Sequence, residues 1–235
     1  MSLTILFFLA PVGAIIAWWL SHQRLTAKPW LEVGAIGEVI DTGASSLPTA
    51  MIGLGVFLAV VSSLFALFIS AYFMRMQVAD WAQMPAPKVL WFNTGVLILS
   101  SIALQYAQVA ARRGRMKDVG DSLIAGNLFA FTFLVGQLFA WHQLNAAGYF
   151  LAANPANAFF YLLTGLHGLH LLGGVVALVV TTEKVWRGFE LGQVRLSVKL
   201  CAIYWHFLLL LWLLLFTLLT PWVGAFAVFC GQLLT

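Results

Sequence analysis

Three histidines lie in apolar stretches of the sequence and are the side chains best suited to bind a metal. His167 and His170 are three residues apart in TGLHGLHLLGG, so they share one side of a helix, and His206 follows in IYWHF. Imidazole nitrogens ligate haem iron, which would make the chain a b-type cytochrome using His167, His170 and His206. The same imidazoles could instead form hydrogen bonds with neighbouring helices. The residues alone leave both alternatives open.

The carboxylates lie outside the apolar stretches. All eight acidic residues fall in predicted loops or at predicted helix ends: Glu32, Glu38, Asp41, Asp80, Asp118, Asp121, Glu183 and Glu190. Proton relays and ion-coupled transporters usually place an ionisable side chain at membrane depth, although a charge is costly there. The sequence also has no evident internal repeat, which argues against an inverted-repeat transporter. A transporter is therefore the least favoured class.

The elements that must position these side chains are membrane helices. Of 235 residues, 62% are hydrophobic and 9% are charged, whereas soluble domains are roughly a quarter charged. This composition excludes soluble enzymes and nucleic-acid modules, and we expect no nucleic-acid partner. Six apolar segments are long enough to cross a bilayer, and helices satisfy their backbone groups there without water. The segments run over residues 3–20, 48–74, 89–111, 122–144, 157–181 and 198–224.

The predicted fold class is all-α, a polytopic integral membrane helical bundle of about six transmembrane helices. We divide it into an N-terminal transmembrane helix with its linker, residues 1–47, and a five-helix core, residues 48–235. Two loops are basic, and basic loops face the cytoplasm, so both termini are predicted to lie on the outer side. The basic residues are Arg112, Arg113, Arg115 and Lys117 in the first loop, and Lys184, Arg187, Arg195 and Lys199 in the second.

Juxtamembrane basic residues attract phospholipid headgroups. Arg195 and Lys199 precede the last predicted helix directly, so we expect them to bind a lipid headgroup from the cytoplasmic side. Tyr204, Trp205 and His206 are expected to line the same lipid site.

Two segments resemble the haem-copper oxidase subunit III family. The segment 160–174, FYLLTGLHGLHLLGG, looks like the T-G-x-H-G-x-H pattern that opens the penultimate helix of that family, and YWHFLLLLW at 204–212 is similar to the YWHF segment of its last helix. Upstream, WFNTGVLILSSIALQYA resembles the family helix with an LNT…LLLSS pattern. The resemblance covers about residues 48–220. It marks these family-motif and helix-packing residues: Thr164, Gly165, His167, Gly168, His170, Gly174, Tyr204, Trp205 and His206.

The resemblance implies a non-catalytic subunit of a terminal respiratory oxidase, cytochrome c oxidase, with no active site of its own. Such a subunit packs against subunit I, supports its proton uptake and binds phospholipids. Subunit II and small subunits are further expected partners. Haem and copper belong to the partners, and no cofactor or metal is expected in this chain. The expected location is the bacterial cytoplasmic membrane rather than the mitochondrial inner membrane. An accessory subunit of a nitric oxide reductase is the alternative.

The sequence departs from the family pattern in two ways. The long family form has seven helices and the short form five, whereas this chain is predicted to have five plus one. The family also often carries acids where this chain has Ser62 and Ser63 in its first core helix, and Leu208 and Leu209 after YWHF. Roles that depend on a buried carboxylate therefore do not transfer, whereas packing and lipid binding do.

Overall fold

The computed structural model describes residues 48–82, 84–85 and 87–220. Its elements are five long α-helices, and the described residues contain no strand: α1 (Thr49–Arg75), α2 (Val89–Arg112), α3 (Met116–Ala146), α4 (Pro155–Trp186) and α5 (Leu191–Leu219). Each is long and apolar enough to cross a membrane. The all-α membrane prediction is confirmed for these five helices. The predicted first helix, its linker, the domain division at residue 47 and the position of both termini lie outside the described residues.

Helices α1, α2 and α4 begin within two residues of their predicted starts, whereas α3 and α5 begin earlier than predicted. Helix α3 begins six residues before its apolar run, and α5 begins seven residues before its own, so Arg195 and Lys199 lie within α5 and do not precede it. Hydropathy detects only the part of a helix that hydrocarbon surrounds. The helical backbone continues into the polar interface, where charged side chains reach water.

Tight turns connect the helices at the two basic loops. Gly114 follows α2 with a φ of 73°, and Gly188 follows α4 with a φ of 70°. A left-handed residue after the last helical turn satisfies free carbonyl groups, and glycine adopts it without steric cost. These short connections make α2 and α3, and likewise α4 and α5, antiparallel neighbours.

Helices α2 to α5 form the main bundle. Contacts are most extensive between α2 and α3, and further pairs form between α2 and α5, α4 and α5, and α3 and α4. The centre of the bundle is filled by large side chains that are almost completely buried, among them Leu104, Phe133, Trp205 and Trp212. Many large apolar side chains face outwards instead, as expected of helices in contact with lipid or with other membrane subunits.

Helix α1 packs only against α4 and α5 among the described helices. Its buried stripe is Val61, Phe65, Ile69 and Tyr72, at the three- and four-residue spacing of one helix face. This stripe packs against leucines of α4 and α5 in a separate apolar cluster. Most of the remaining α1 residues are exposed.

Candidate functional site

The motif of α4 begins with two residues that contact a tryptophan of α3. Thr164 donates a hydrogen bond to the Phe160 carbonyl (2.7 Å) and accepts one from Nε1 of Trp141 (3.1 Å). A Cβ atom on Gly165 would lie 3.4 Å from the same indole ring. These residues therefore connect α4 to α3. Gly168 has no described atom within 4 Å of the position its Cβ would take, so the structure gives it no close packing partner.

His167 lies in the centre of the bundle, fully buried between aromatic rings. Its ring centroid lies 5.2 Å from that of Trp212 and 5.9 Å from that of Phe133. Neither ring nitrogen has a hydrogen-bond partner among the described residues. The imidazole thus packs as an aromatic ring against α3 and α5.

His170 faces α1. Its Nδ1 donates to the Leu166 carbonyl (2.8 Å), and its ring lies edge-on to Phe65 at 5.7 Å. His206 lies instead on the exposed surface of α5, with its Nδ1 2.5 Å from the Ala202 carbonyl. The three histidines considered as haem ligands therefore occupy three different environments. Of the residues the structure describes, no three His, Cys, Asp or Glu side chains form a group able to hold a metal ion.

The α4 and α5 motifs meet at Gly174. A Cβ atom on this glycine would lie 2.9 Å from the Trp205 ring and 3.0 Å from the Tyr204 ring. Tyr204 also donates a hydrogen bond to the His170 carbonyl (2.8 Å). The absence of a side chain at 174 therefore lets both aromatic rings lie directly against the α4 backbone.

A groove of about 300 Å³ adjoins this crossing on the side of α1. It is lined almost entirely by apolar atoms of Leu54, Phe57, Gly173, Gly174, Ala177, Leu200, Cys201, Tyr204 and Trp205. An apolar groove of this kind suits a hydrocarbon chain.

A second, basic cavity of about 230 Å³ lies between the ends of α2 and α5 that carry the basic loops. Its lining residues are Gln108, Ala111, Arg112, Arg195, Leu196 and Lys199. Arg195 donates from Nε to the Ala111 carbonyl (2.9 Å) and from Nη2 to the Arg112 carbonyl (3.0 Å). Its guanidinium therefore caps the carboxyl end of α2, where free carbonyls and the helix dipole favour a cation.

The structure separates two groups that we expected to share one lipid site. Arg195 and Lys199 line the basic cavity beside α2, whereas Tyr204 and Trp205 line the apolar groove beside α1. His206 lines neither of them. Because successive positions of a helix point in different directions, closeness in sequence did not place these side chains together.

Polar pairs inside the bundle were missed by the sequence reasoning. Asn93 of α2 donates from Nδ2 to Oε1 of Gln137 on α3 (3.3 Å), and both are buried. Thr94 accepts a hydrogen bond from Nε1 of Trp212 on α5 (3.0 Å). Amides and hydroxyls in the middle of apolar runs often join membrane helices, so these side chains were the available signal.

The positions where the family often carries acids have no common environment. Ser62 and Ser63 are exposed on α1 and donate to carbonyls of their own helix, at 2.8 Å and 2.9 Å. Leu208 is fully buried in the main core, and Leu209 is half-buried beside it.

The described carboxylates lie in loops or near helix ends, as predicted. Asp80 follows α1 and forms a two-point ion pair with Arg75, whose Nη1 lies 2.8 Å from Oδ1. This hydrogen bond lowers the pKa of Asp80 below its ordinary value. Arg115 and Asp118 form a similar pair at the start of α3.

Together, five long helices joined through aromatic rings, glycine contacts and buried polar pairs define a polytopic integral membrane protein. A family model described as cytochrome c oxidase subunit III matches residues 49–224. Similar proteins include cytochrome c oxidase subunit 3 of Thermostichus vulcanus, 30% identical over 177 residues (72% of this chain, 85% of that protein). Probable cytochrome c oxidase subunit 3 of Mycobacterium leprae is 28% identical over 195 residues, and that of Mycobacterium tuberculosis 30% over 199; each match covers 80% of this chain and 96% of the relative.

The family model covers well over half of the chain, and the chain therefore belongs to the cytochrome c oxidase subunit III family. It is a non-catalytic membrane subunit III of a haem-copper oxidase and takes part in aerobic respiratory electron transport. The resemblance seen in the two helix motifs is thereby confirmed. The chain is accordingly part of a multi-subunit complex.

Proposed function

We propose that the chain acts by packing and lipid binding beside subunit I of cytochrome c oxidase, and that it supports proton uptake by that subunit. Subunit II and small subunits are the further partners, and the bacterial cytoplasmic membrane is the proposed location. The observation that carries the proposal is the match to subunit III over all five described helices. The interior of these helices adds support, because it is built from apolar, aromatic and uncharged polar contacts.

Purification from native membranes in a mild detergent tests this proposal. A tagged full-length chain should recover a haem-copper subunit I in stoichiometric amount, together with phospholipid. Oxygen consumption, measured against nitric oxide reduction, distinguishes a cytochrome c oxidase from the nitric oxide reductase alternative. A complex that reduces nitric oxide and consumes no oxygen would overturn the assignment to an oxidase.

A lipid headgroup at the basic cavity is the second part of the proposal. Lys199 and Arg195 line the cavity with Arg112, and no carboxylate is among its lining residues. Two donors of the Arg195 guanidinium are engaged by α2 carbonyls. Arg195 therefore shapes the cavity and supplies positive charge, and Lys199 is proposed as the cation that approaches the phosphate. The apolar groove beside α1 is proposed to hold a hydrocarbon chain of a separate lipid.

Matched charge removals test the headgroup site. Lys199→Gln should reduce the phospholipid retained by the purified complex, as measured by mass spectrometry. Lys117→Gln is the control, because Lys117 is exposed at the start of α3 on the same membrane side and lies outside the cavity. Equal retention in the Lys199→Gln variant and the native protein would exclude Lys199 as a lipid contact.

A further inference from the structure

A layer of buried polar side chains crosses the main bundle at the depth of His167. Its members come from all four helices of that bundle: Asn93 and Thr94 of α2, Gln137 of α3, His167 of α4 and Trp212 of α5. Each of them is more than nine-tenths buried. Asn93 bonds to Gln137, Thr94 bonds to Trp212, and the Trp212 ring lies 5.2 Å from the imidazole. The four helices therefore meet at one depth through polar groups.

Only part of this layer satisfies its own hydrogen bonds. The Thr94 hydroxyl accepts from the Trp212 indole and donates to the Leu90 carbonyl (2.8 Å). The pair of Asn93 and Gln137 uses one amide NH2 group and one amide oxygen. Oδ1 of Asn93 and Nε2 of Gln137 have no partner among the described residues. Rotating both amides by 180° leaves the same balance, so the pair always has one donor and one acceptor left over.

Gln137 lies on the side of α3 that faces His167. One turn before it, the Phe133 ring lies 5.9 Å from the imidazole. One turn after it, Trp141 donates its hydrogen bond to Thr164, which lies three residues before His167 on α4. Residues four apart share one side of a helix, so Gln137 lies between two contacts that α3 makes with this part of α4. Its unpartnered amide group and the imidazole therefore belong to the same interior site.

The imidazole of His167 adds a second donor and a second acceptor to this site. A ring buried among aromatic side chains is neutral, because an isolated charge there is costly, and a neutral imidazole has one N–H group and one unprotonated nitrogen. Neither nitrogen has a partner within the described part of the chain. A buried polar group without a hydrogen bond is unfavourable. The site therefore suits a small uncharged ligand that both donates and accepts hydrogen bonds.

We propose that Gln137 and His167 bind a water molecule inside the main bundle. The water accepts a hydrogen bond from the Gln137 amide and donates one to the unprotonated nitrogen of His167. Buried waters in proteins bond in this way to polar groups that have no other partner, and two to four such partners are enough to hold one. The water completes the hydrogen bonding of the layer that joins the four helices. It does not depend on the lipid sites or on partner subunits.

Solid-state NMR of the full-length chain in lipid bilayers tests for the water directly. Magnetisation from water protons should reach the ring nitrogens of His167 in the isotope-labelled native protein. It should not reach the side chain of Leu171, which is equally buried one turn further along α4. A His167 ring without a water contact, or one that bonds directly to the Gln137 amide, would overturn the inference. This measurement needs no substitution, so it does not depend on whether a variant folds.

Matched substitutions on α3 test the role of the amide. Gln137→Leu should remove most of the transfer from water to His167, because the water loses one of its two proposed partners. Gln143→Leu is the control, since Gln143 is exposed near the end of the same helix, and this variant should give the native signal. Unchanged transfer in the Gln137→Leu variant would contradict Gln137 as a ligand of the water. A loss of equal size in the Gln143→Leu variant would contradict it as well.

Discussion

Gly174 and Gly173 are adjacent in α4, yet replacement by alanine should leave the chain less stable at position 174 than at position 173. A Cβ atom on Gly174 would lie 2.9 Å from the Trp205 ring and 3.0 Å from the Tyr204 ring, whereas one on Gly173 would meet no described atom within 4 Å. Carbon atoms pack best at about 3.5–4.0 Å, so the Gly174→Ala side chain would overlap two rings. Trp205 is fully buried and cannot move without disturbing the core.

The size of the stability difference follows from comparing the two alanine variants. Overpacking of this kind costs about 1–3 kcal/mol. Replacing glycine by alanine inside a helix contributes about 0.8–1.0 kcal/mol of stability at either position, so this contribution cancels in the comparison. Gly174→Ala should therefore be about 1–3 kcal/mol less stable than Gly173→Ala. Gly173→Ala should be as stable as the native chain or somewhat more stable.

Reversible unfolding in mixed micelles, followed by circular dichroism at a helical wavelength, measures these differences. The Gly174→Ala penalty should shrink in a Trp205→Leu background, because neighbouring substitutions are not additive when they share one contact. Equal stabilities for the two alanine variants would refute the close crossing of α4 and α5 at this position. An undiminished penalty with Trp205 removed would show that the indole is not the obstacle.

Three further predictions concern single contacts. Thr94→Val should destabilise the chain by about 1–3 kcal/mol, because it leaves the buried Nε1 of Trp212 without its acceptor; a Thr94→Ser control should retain stability. Asn154→Ala should lower the free energy of unfolding by about 0.5–2 kcal/mol, because it removes the N-cap hydrogen bond of α4. An unchanged midpoint of the unfolding transition would count against this role of Asn154. Arg75→Gln should raise the pKa of Asp80 towards its ordinary value in an NMR titration, and an unaltered titration would disprove the coupling. The native ion pair stabilises the fold above the ordinary carboxyl pKa, and this stabilisation is lost as the pH falls through the lowered pKa.

Hydropathy predicted the five described helices because each apolar run is as long as a membrane is thick. It placed the starts of α3 and α5 too late, since their first turns carry charges such as Arg195 that extend into the interface. The earlier start of α5 places Arg195 within that helix, where its side chain caps the end of α2 in addition to lining the basic cavity. A sequence pattern cannot show which carbonyl a long side chain reaches.

The motif residues show that the sequence does not reveal which side chains of a helix meet another helix. Gly168 and Gly174 have the same residue type and belong to the same motif, but only Gly174 lies against another helix. Similarly, His167 and His206 both lie in apolar segments of the sequence. His167 is buried among aromatic rings, whereas His206 faces outwards. Which face of a membrane helix meets a neighbour depends on how the helices pack, and an apolar run without periodicity does not reveal it.

The visible spectrum of the complex and of its separated subunits tests the central claim most directly. The tagged chain, purified from native membranes, should carry stoichiometric haem absorbance only while a haem-copper subunit I is bound. After that subunit is dissociated, the chain should be colourless. Stoichiometric haem that remains on the separated chain, or purification without any haem-copper subunit, would contradict its role as a non-catalytic oxidase subunit.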